Sequence, residues 1–253
     1  MSLRVSVLIP VYNEAETLEM LVDQVRAVPM NMEIVCVNDG SRDGSAELLD
    51  RLLADGRIDK LHHQPENRGK GAAIRKAIEM AAGDVLVVQD ADLEYDPTEI
   101  PTLLGPIETG RADAVFGSRF LGGPHRVLYF WHSVGNSLLT LLSNMLTDIN
   151  LTDMETCYKV IRTPLAKKLV LTSDRFGFEP EVTARLAQAR ARIWELPISY
   201  SGRTYEEGKK IGWKDGVAAI RHILVYNLLP PRNAEVRRID RSQFEAGPFD
   251  RKG

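Results

Sequence analysis

Two acidic side chains one residue apart, Asp90 and Asp92, follow the apolar run Val85-Leu-Val-Val88, and Glu94 comes two positions later. Val85 to Val88 are too continuously apolar for a half-exposed strand, so they read as a central strand of a sheet covered on both faces. Carboxylates do not belong inside such a strand. They mark its exit, the edge where ligands of open α/β sheets bind. An Asp-x-Asp pair on a tight turn suits a divalent cation holding phosphate oxygens, and alternation past the turn brings Glu94 back towards the same cation. Polar residues also gather after two other strands, as Tyr12, Asn13 and Glu14 and as Asn38 and Asp39. Turn formation and helix capping explain a single such Asp. Three loaded strand ends in order point to a site.

Further candidates carry the opposite charge. Asn67-Arg-Gly-Lys-Gly71 opens a helix, where Gly69 and the backbone N–H groups, with Lys70, could hold an anion. Arg119, Arg126, Arg203, Lys209 and Lys210 are cations that could steady a phosphate, or simply solvated surface charges. The remaining carboxylates of interest are Asp153, Glu155, Glu179 and Glu181.

The elements that must position these residues alternate. Val5–Ile9, Glu33–Val37, Lys60–His63, Val85–Gln89 and Ala114–Gly117 read as strands, and Glu16–Ala27, Ser45–Ala54, Gly71–Ala82 and Glu99–Thr109 as helices. This βαβα rhythm predicts a mostly parallel, doubly wound sheet. Past a glycine-rich segment at Gly122–Arg126, read as a mobile loop, two apolar stripes appear at helical spacing. They are Trp131, Val134, Leu138, Leu141, Leu142, Met145 and then Trp213, Val217, Ile220, Leu224, Leu228. The stretch from Pro230 is charged and poor in aliphatics, the composition of a loosely ordered tail.

Composition narrows the function classes. At 253 residues the chain can bury one full core, and a net charge of −3 gives no basic field for nucleic acid. Cys36 and Cys157 lie far apart without metal-ligand spacing, so both read as buried small apolar residues. The N-terminus lacks a signal peptide's apolar core and no clean run of eighteen apolar residues occurs, so the expectation is a cytoplasmic protein. Neither a Gly-x-x-x-x-Gly-Lys-Ser/Thr loop nor Gly-x-Gly-x-x-Gly follows the first strand, which excludes Walker ATPases and ordinary dinucleotide enzymes.

Taken together, Pro10-Val-Tyr-Asn-Glu14, Val37-Asn-Asp-Gly-Ser41, Asn67-Arg-Gly-Lys-Gly71, Gly83-Asp84 and Gln89-Asp-Ala-Asp-Leu-Glu94 resemble the motif series of family 2 glycosyltransferases with the GT-A fold. Within that family the chain is most similar to dolichyl- or polyprenyl-phosphate sugar synthases, from about Val5 to Trp213. The resemblance implies a GT-A domain over residues 1–230, with a nucleotide-sugar-binding half (1–120), an acceptor-side helical half (121–230) and a tail (231–253). It implies that Pro10, Tyr12, Glu14, Asn38 and Asp39 frame the nucleobase and ribose. Gly69, Lys70, Asp90, Ala91 and Asp92 would line the rest of the donor site, and Asp90, Asp92 and Glu94 would hold Mg2+ or Mn2+. Asn38 departs from the Asp commonly found there, which touches the base and ribose contact and not the metal.

The implied reaction is inverting transfer of a hexose from a nucleotide sugar, UDP-linked in preference to GDP-mannose, to a lipid phosphate. Asp92, Arg119, Asp153 and Arg203 would be catalytic, and Arg119, Arg126, Arg203 and Lys209 would hold the acceptor phosphate. A hydroxyl acceptor is the alternative and needs a base, Asp153 or Glu155. A nucleotidyltransferase lacks its glycine-rich N-terminal loop here, and a non-catalytic nucleotide-sugar-binding module is the non-enzyme reading. Aromatics beside cations in Arg126–Trp131 and Lys209–Trp213 suit peripheral membrane association, although helices with one apolar face ordinarily pack on their own core.

Overall fold

The computed structural model describes residues 3–127, 129–175, 177–204, 206 and 213–229. Lys209, Lys210 and the tail from residue 230, all named above, lie outside the described residues. One seven-stranded sheet carries the fold. Strands β1 (Val5–Val11), β2 (Met32–Asn38), β3 (Lys60–His63) and β4 (Val85–Val88) run parallel in the order β3-β2-β1-β4. Beyond β4 the order continues through three more strands, β6 (Lys159–Arg162), β5 (Ala114–Ser118) and β7 (Ile193–Pro197), of which only β6 is antiparallel.

Helices α1 (Leu18–Ala27), α2 (Ser45–Ala54), α3 (Lys70–Met80) and α4 (Ile100–Glu108) connect the strands of the first half. The second half adds α5 (Phe130–Thr147), a single turn α6 (Thr163–Ala166), α7 (Phe178–Gln188) and α8 (Trp213–Leu228). Apolar periodicity explains the packing: α1 buries Leu18, Leu21, Val22 and Val25, one stripe of a 3.6-residue helix. All four residues of β4 are buried, as a central strand requires.

Some boundaries move for identifiable reasons. β1 runs on past Ile9 because Pro10 and Val11 pair with Val37 and Asn38. α1 begins at Leu18, after Thr17, whose hydroxyl donates to the Ala91 carbonyl at 2.6 Å. The strand series read from the sequence stops at Ala114–Gly117, but the sheet continues to β6 and β7. β6 holds a fully buried lysine, Lys159, whose ammonium donates to the Met154 carbonyl at 3.0 Å and to that of Thr156. The Gly122–Arg126 segment, read as a mobile loop, is pinned by the backbone bonds Tyr200 N to Pro124 O and Arg126 N to Tyr200 O.

From β1 the chain winds outwards to β2 and β3 and then returns to β4 on the other side of β1. That reversal opens a crevice at the C-terminal ends of β1 and β4, the place where open α/β sheets bind ligands. Tyr12 to Glu14, Asn38 to Ser41 and Asp90 to Glu94 all leave strands at this edge.

Candidate active site

After Val88 the chain turns sharply, and Leu93 takes a left-handed backbone (φ +62°) that is rare for a branched residue. The turn closes with the Glu94 N–H donating to Asp92 Oδ1 at 3.2 Å. Asp92 is mostly shielded from water. Burial, followed by the carboxylates of Asp90 and Glu94, pushes its pKa up to about 7, with Arg203 opposing the shift. The Arg203 guanidinium is the cation of this cluster, with Nη2 3.3 Å from Asp92 and 3.7 Å from Glu14. Arg203, expected on the acceptor phosphate, is therefore placed among the aspartate-turn carboxylates.

Glu94 faces elsewhere. One oxygen accepts the Tyr200 hydroxyl at 2.8 Å and the other accepts the Arg203 backbone N–H at 2.7 Å. Among the described residues no three His, Cys, Asp or Glu side chains converge as ligands of one ion. Glu94, named with Asp90 and Asp92 as a metal ligand, here braces the turn against residues 200–203, with its Oε1 3.6 Å from Arg203 Nε. Asp90 and Asp92 still fit Mg2+ or Mn2+, because such ions are commonly held by one or two carboxylates with phosphate oxygens and water completing the shell. After burial, the neighbouring carboxylates of Asp90 and Glu94 also push the Asp92 pKa up, a concentration of negative charge that suits a cation.

In the segment Asn67–Gly71, read as a phosphate cradle, several donors are turned inward: Arg68 N and Gly69 N both donate to Asp39 at 2.8 Å and Asn67 Nδ2 to the same carboxylate at 2.9 Å, while Ala72 N just beyond donates to Asp174 O at 3.0 Å. Asp39, expected on the base or ribose, has its carboxylate committed to holding this loop. Gly69 is needed because its φ is +101° and an added Cβ would lie 2.5 Å from Asp174 O. Lys70 lies between Asp90 (2.9 Å) and Glu179 (3.0 Å). Burial works against its charge, yet those two carboxylates hold the ammonium well above the usual lysine range.

On the other flank, Arg119 donates Nε and Nη2 to Asp153 at 2.6 and 2.7 Å, a bidentate pair, and its backbone N–H reaches the same carboxylate at 3.1 Å. Asp153 is fully buried. Its role is to position Arg119, whose guanidinium also lies 5.1 Å from the centre of the Tyr200 ring. Glu155, two residues on, has a pKa pushed up to about 8 by burial and then by Glu179. Arg126 bonds the Gly202 carbonyl at 3.3 Å, and Glu181 accepts from Thr172 and Ser173 away from the turn.

The residues expected to frame the base lie together at the strand ends, Pro10 and the exposed Tyr12 at the end of β1 and Asn38, buried, at the end of β2. Asn38 accepts Ser41 N at 3.0 Å and its amide nitrogen meets His63 Nδ1 at 2.9 Å, so both ends of the side chain are engaged. Glu14 receives the Thr17 hydroxyl at 3.2 Å. Sequence reasoning missed Tyr200, which joins Glu94 to Arg119. Its proximity to Arg203 in sequence is the only local signal. It also missed Thr17, which ties α1 to Ala91.

Comparison with known proteins identifies the family and the fold. Residues 6–170 match the family described as Glycosyl transferase family 2. The chain is 31% identical over 228 residues to an undecaprenyl-phosphate mannosyltransferase of Micrococcus luteus, covering 86% of this chain and 92% of that one. It is 31% identical over 219 residues to a polyprenol monophosphomannose synthase of Mycolicibacterium smegmatis, covering 83% and 82%. The fold is similar to that of glucosyl-3-phosphoglycerate synthase from Mycobacterium tuberculosis, solved with Mn2+, UDP and glucosyl-3-phosphoglycerate, with a TM-score of 0.69 at 19% identity over 91% of this chain and 82% of that one. With its GT-A architecture and its loaded strand ends, the chain belongs to glycosyl transferase family 2 and is a glycosyltransferase.

Proposed function

We propose that this glycosyltransferase is inverting and divalent-cation-dependent, and moves a hexose from a nucleotide sugar to a polyprenyl phosphate at a cytoplasmic membrane surface. The observation that carries the reading is the Asp90–Asp92 turn at the end of β4, each carboxylate already facing a cation, together with Arg119 held in place by buried Asp153. The acceptor class draws further support from the polyprenyl acceptors in the names of the two relatives.

Asp90 and Asp92 would hold the cation, Mg2+ or Mn2+. Once bound, it stabilises the charge that gathers on the diphosphate as the bond to sugar C1 breaks. Pro10, Tyr12, Glu14 and Asn38 frame the base and ribose, while Asp39 fixes the neighbouring loop. Arg119 orients the acceptor phosphate. An oxygen lone pair of that phosphate forms the new bond to C1 from the face opposite the nucleotide. The old bonding pair leaves with the nucleoside diphosphate, and C1 is inverted without a covalent enzyme intermediate.

A phosphate acceptor has no proton to lose, which fits Asp153 being sealed in its ion pair with Arg119 and not free to act as a base. The same surface offers a place for the lipid. α5 exposes Phe130, Trp131, Leu138, Leu141 and Met145, with Trp131 76% exposed, and α8, packed beside it, exposes Val217, Ile220 and Leu228. No helix among the described residues is long and apolar enough to cross a membrane. These faces suit lying on one.

A thermal-shift panel tests the donor side, with UDP-sugars first and GDP-mannose second because of the mannose in the relatives' names. One nucleotide sugar should raise Tm in the presence of Mn2+ and do so less without it. A panel in which none of them shifts Tm would overturn the reading.

A further inference from the structure

The loop from Asp153 to Cys157 runs from the Arg119 ion pair to the end of β4. At one end Asp153 is locked on Arg119. At the other, the Cys157 backbone N–H donates to the Tyr95 hydroxyl at 3.1 Å, and its Sγ lies 3.6 Å from the Val88 carbonyl at the end of β4, two residues before Asp90. Glu155 is the middle residue. The Lys159 ammonium holds the carbonyls of Met154 and Thr156 on either side of it, so the local backbone is fixed and the side chain is presented by a rigid loop.

The Glu155 side chain is half-buried, and its Oε1 atom is fully buried without a hydrogen-bond partner. The neighbouring Thr156 Oγ1 is buried and unpartnered as well. An unpaired buried polar atom costs about 1–3 kcal/mol, so the Glu155 carboxyl, only half-buried and with one oxygen unpaired, is a candidate to meet its partner on a ligand. With the diphosphate at Asp90 and Asp92 and the acceptor at Arg119, what lies between them is the sugar.

We propose that Glu155 is a specificity-determining residue of the donor-sugar subsite, hydrogen-bonding a hydroxyl of the transferred hexose. The proposal rests on the nucleotide-sugar reading above. A carboxyl whose pKa burial pushes up to about 8 can offer an O–H donor as well as acceptor oxygens, the same pairing a sugar hydroxyl presents.

Calorimetry on the full chain with Mn2+ tests it, using UDP, UDP-glucose, GDP and GDP-mannose as ligands and comparing wild type, Glu155→Ala and Glu155→Gln. The Ala variant should weaken binding of the preferred nucleotide sugar about tenfold and leave the Kd of the matching nucleoside diphosphate unchanged. The Gln variant, whose amide also donates and accepts, should retain most of the affinity. Equal losses for sugar-bearing and bare nucleotides would mark a structural role and overturn the proposal, as would unchanged nucleotide-sugar binding in the Ala variant. A wild-type chain that binds none of the four ligands would instead overturn the nucleotide-sugar reading itself.

Discussion

Asp92 is the side chain whose charge is most contested. Its pKa in the fold, about 7, lies above the ordinary 3.8, so the folded chain holds a proton that the unfolded chain releases. That contribution to stability is complete below the ordinary value and is lost as pH rises through about 7. A cation on the turn replaces that proton, so the Tm gain from Mn2+ with a nucleoside diphosphate should grow between about pH 5.5 and pH 8. Asp92→Asn should flatten that dependence, and a gain independent of pH in wild type would contradict the assignment. Asp153 separates two chemistries. As the support of Arg119, its change to Asn should raise the acceptor KM about tenfold or more and leave nucleotide-sugar affinity intact, whereas a general base would lose kcat at constant KM. The Asp90–Asp92 turn was legible in the sequence because four apolar residues cannot be followed by carboxylates inside a strand. The occupation of Asp39 and Lys70 was not. Glu179, one of Lys70's two partners, and Asp174, which caps the loop that Asp39 holds, lie about a hundred residues downstream, with no local pattern to announce them.

At the scale of elements, the start of α3 is fitted to the 173–175 segment. Gly69 and Gly44 both have positive φ, but a Cβ at Gly44 meets nothing within 4 Å whereas one at Gly69 strikes the Asp174 carbonyl. Gly44→Ala should therefore cost about 1 kcal/mol of backbone strain and Gly69→Ala about 2–3 kcal/mol or more, read by urea unfolding. Equal costs would show that the close approach is not rigid. The parallel β1 to β4 core was readable from apolar runs and turn residues. β6 was not, because its four residues include Lys159 and Arg162, whose N–H groups donate to carbonyls of other segments. A two-residue-period pattern cannot foresee such rescue.

For the whole molecule, the proposed reaction would have a lipid's phosphate reach Arg119 while its chain stays outside against the exposed apolar faces of α5 and α8. The two stripes were visible in the sequence as helical periodicity, which is silent on whether the face meets core or lipid. Replacing Trp131 and Leu138 together by Ser should reduce sedimentation with anionic lipid vesicles about tenfold or more, leaving Tm and nucleotide-sugar affinity unchanged. A drop in Tm of several degrees would show instead that the face packs within the protein. The most direct test of the account is transfer of labelled hexose to undecaprenyl phosphate in vesicles with Mn2+, comparing wild type with Asp92→Asn. The account predicts a lipid-linked product of inverted configuration from wild type and a loss of about a hundredfold or more in the variant. Donor bound but never transferred to the lipid, or undiminished transfer by Asp92→Asn, would contradict it.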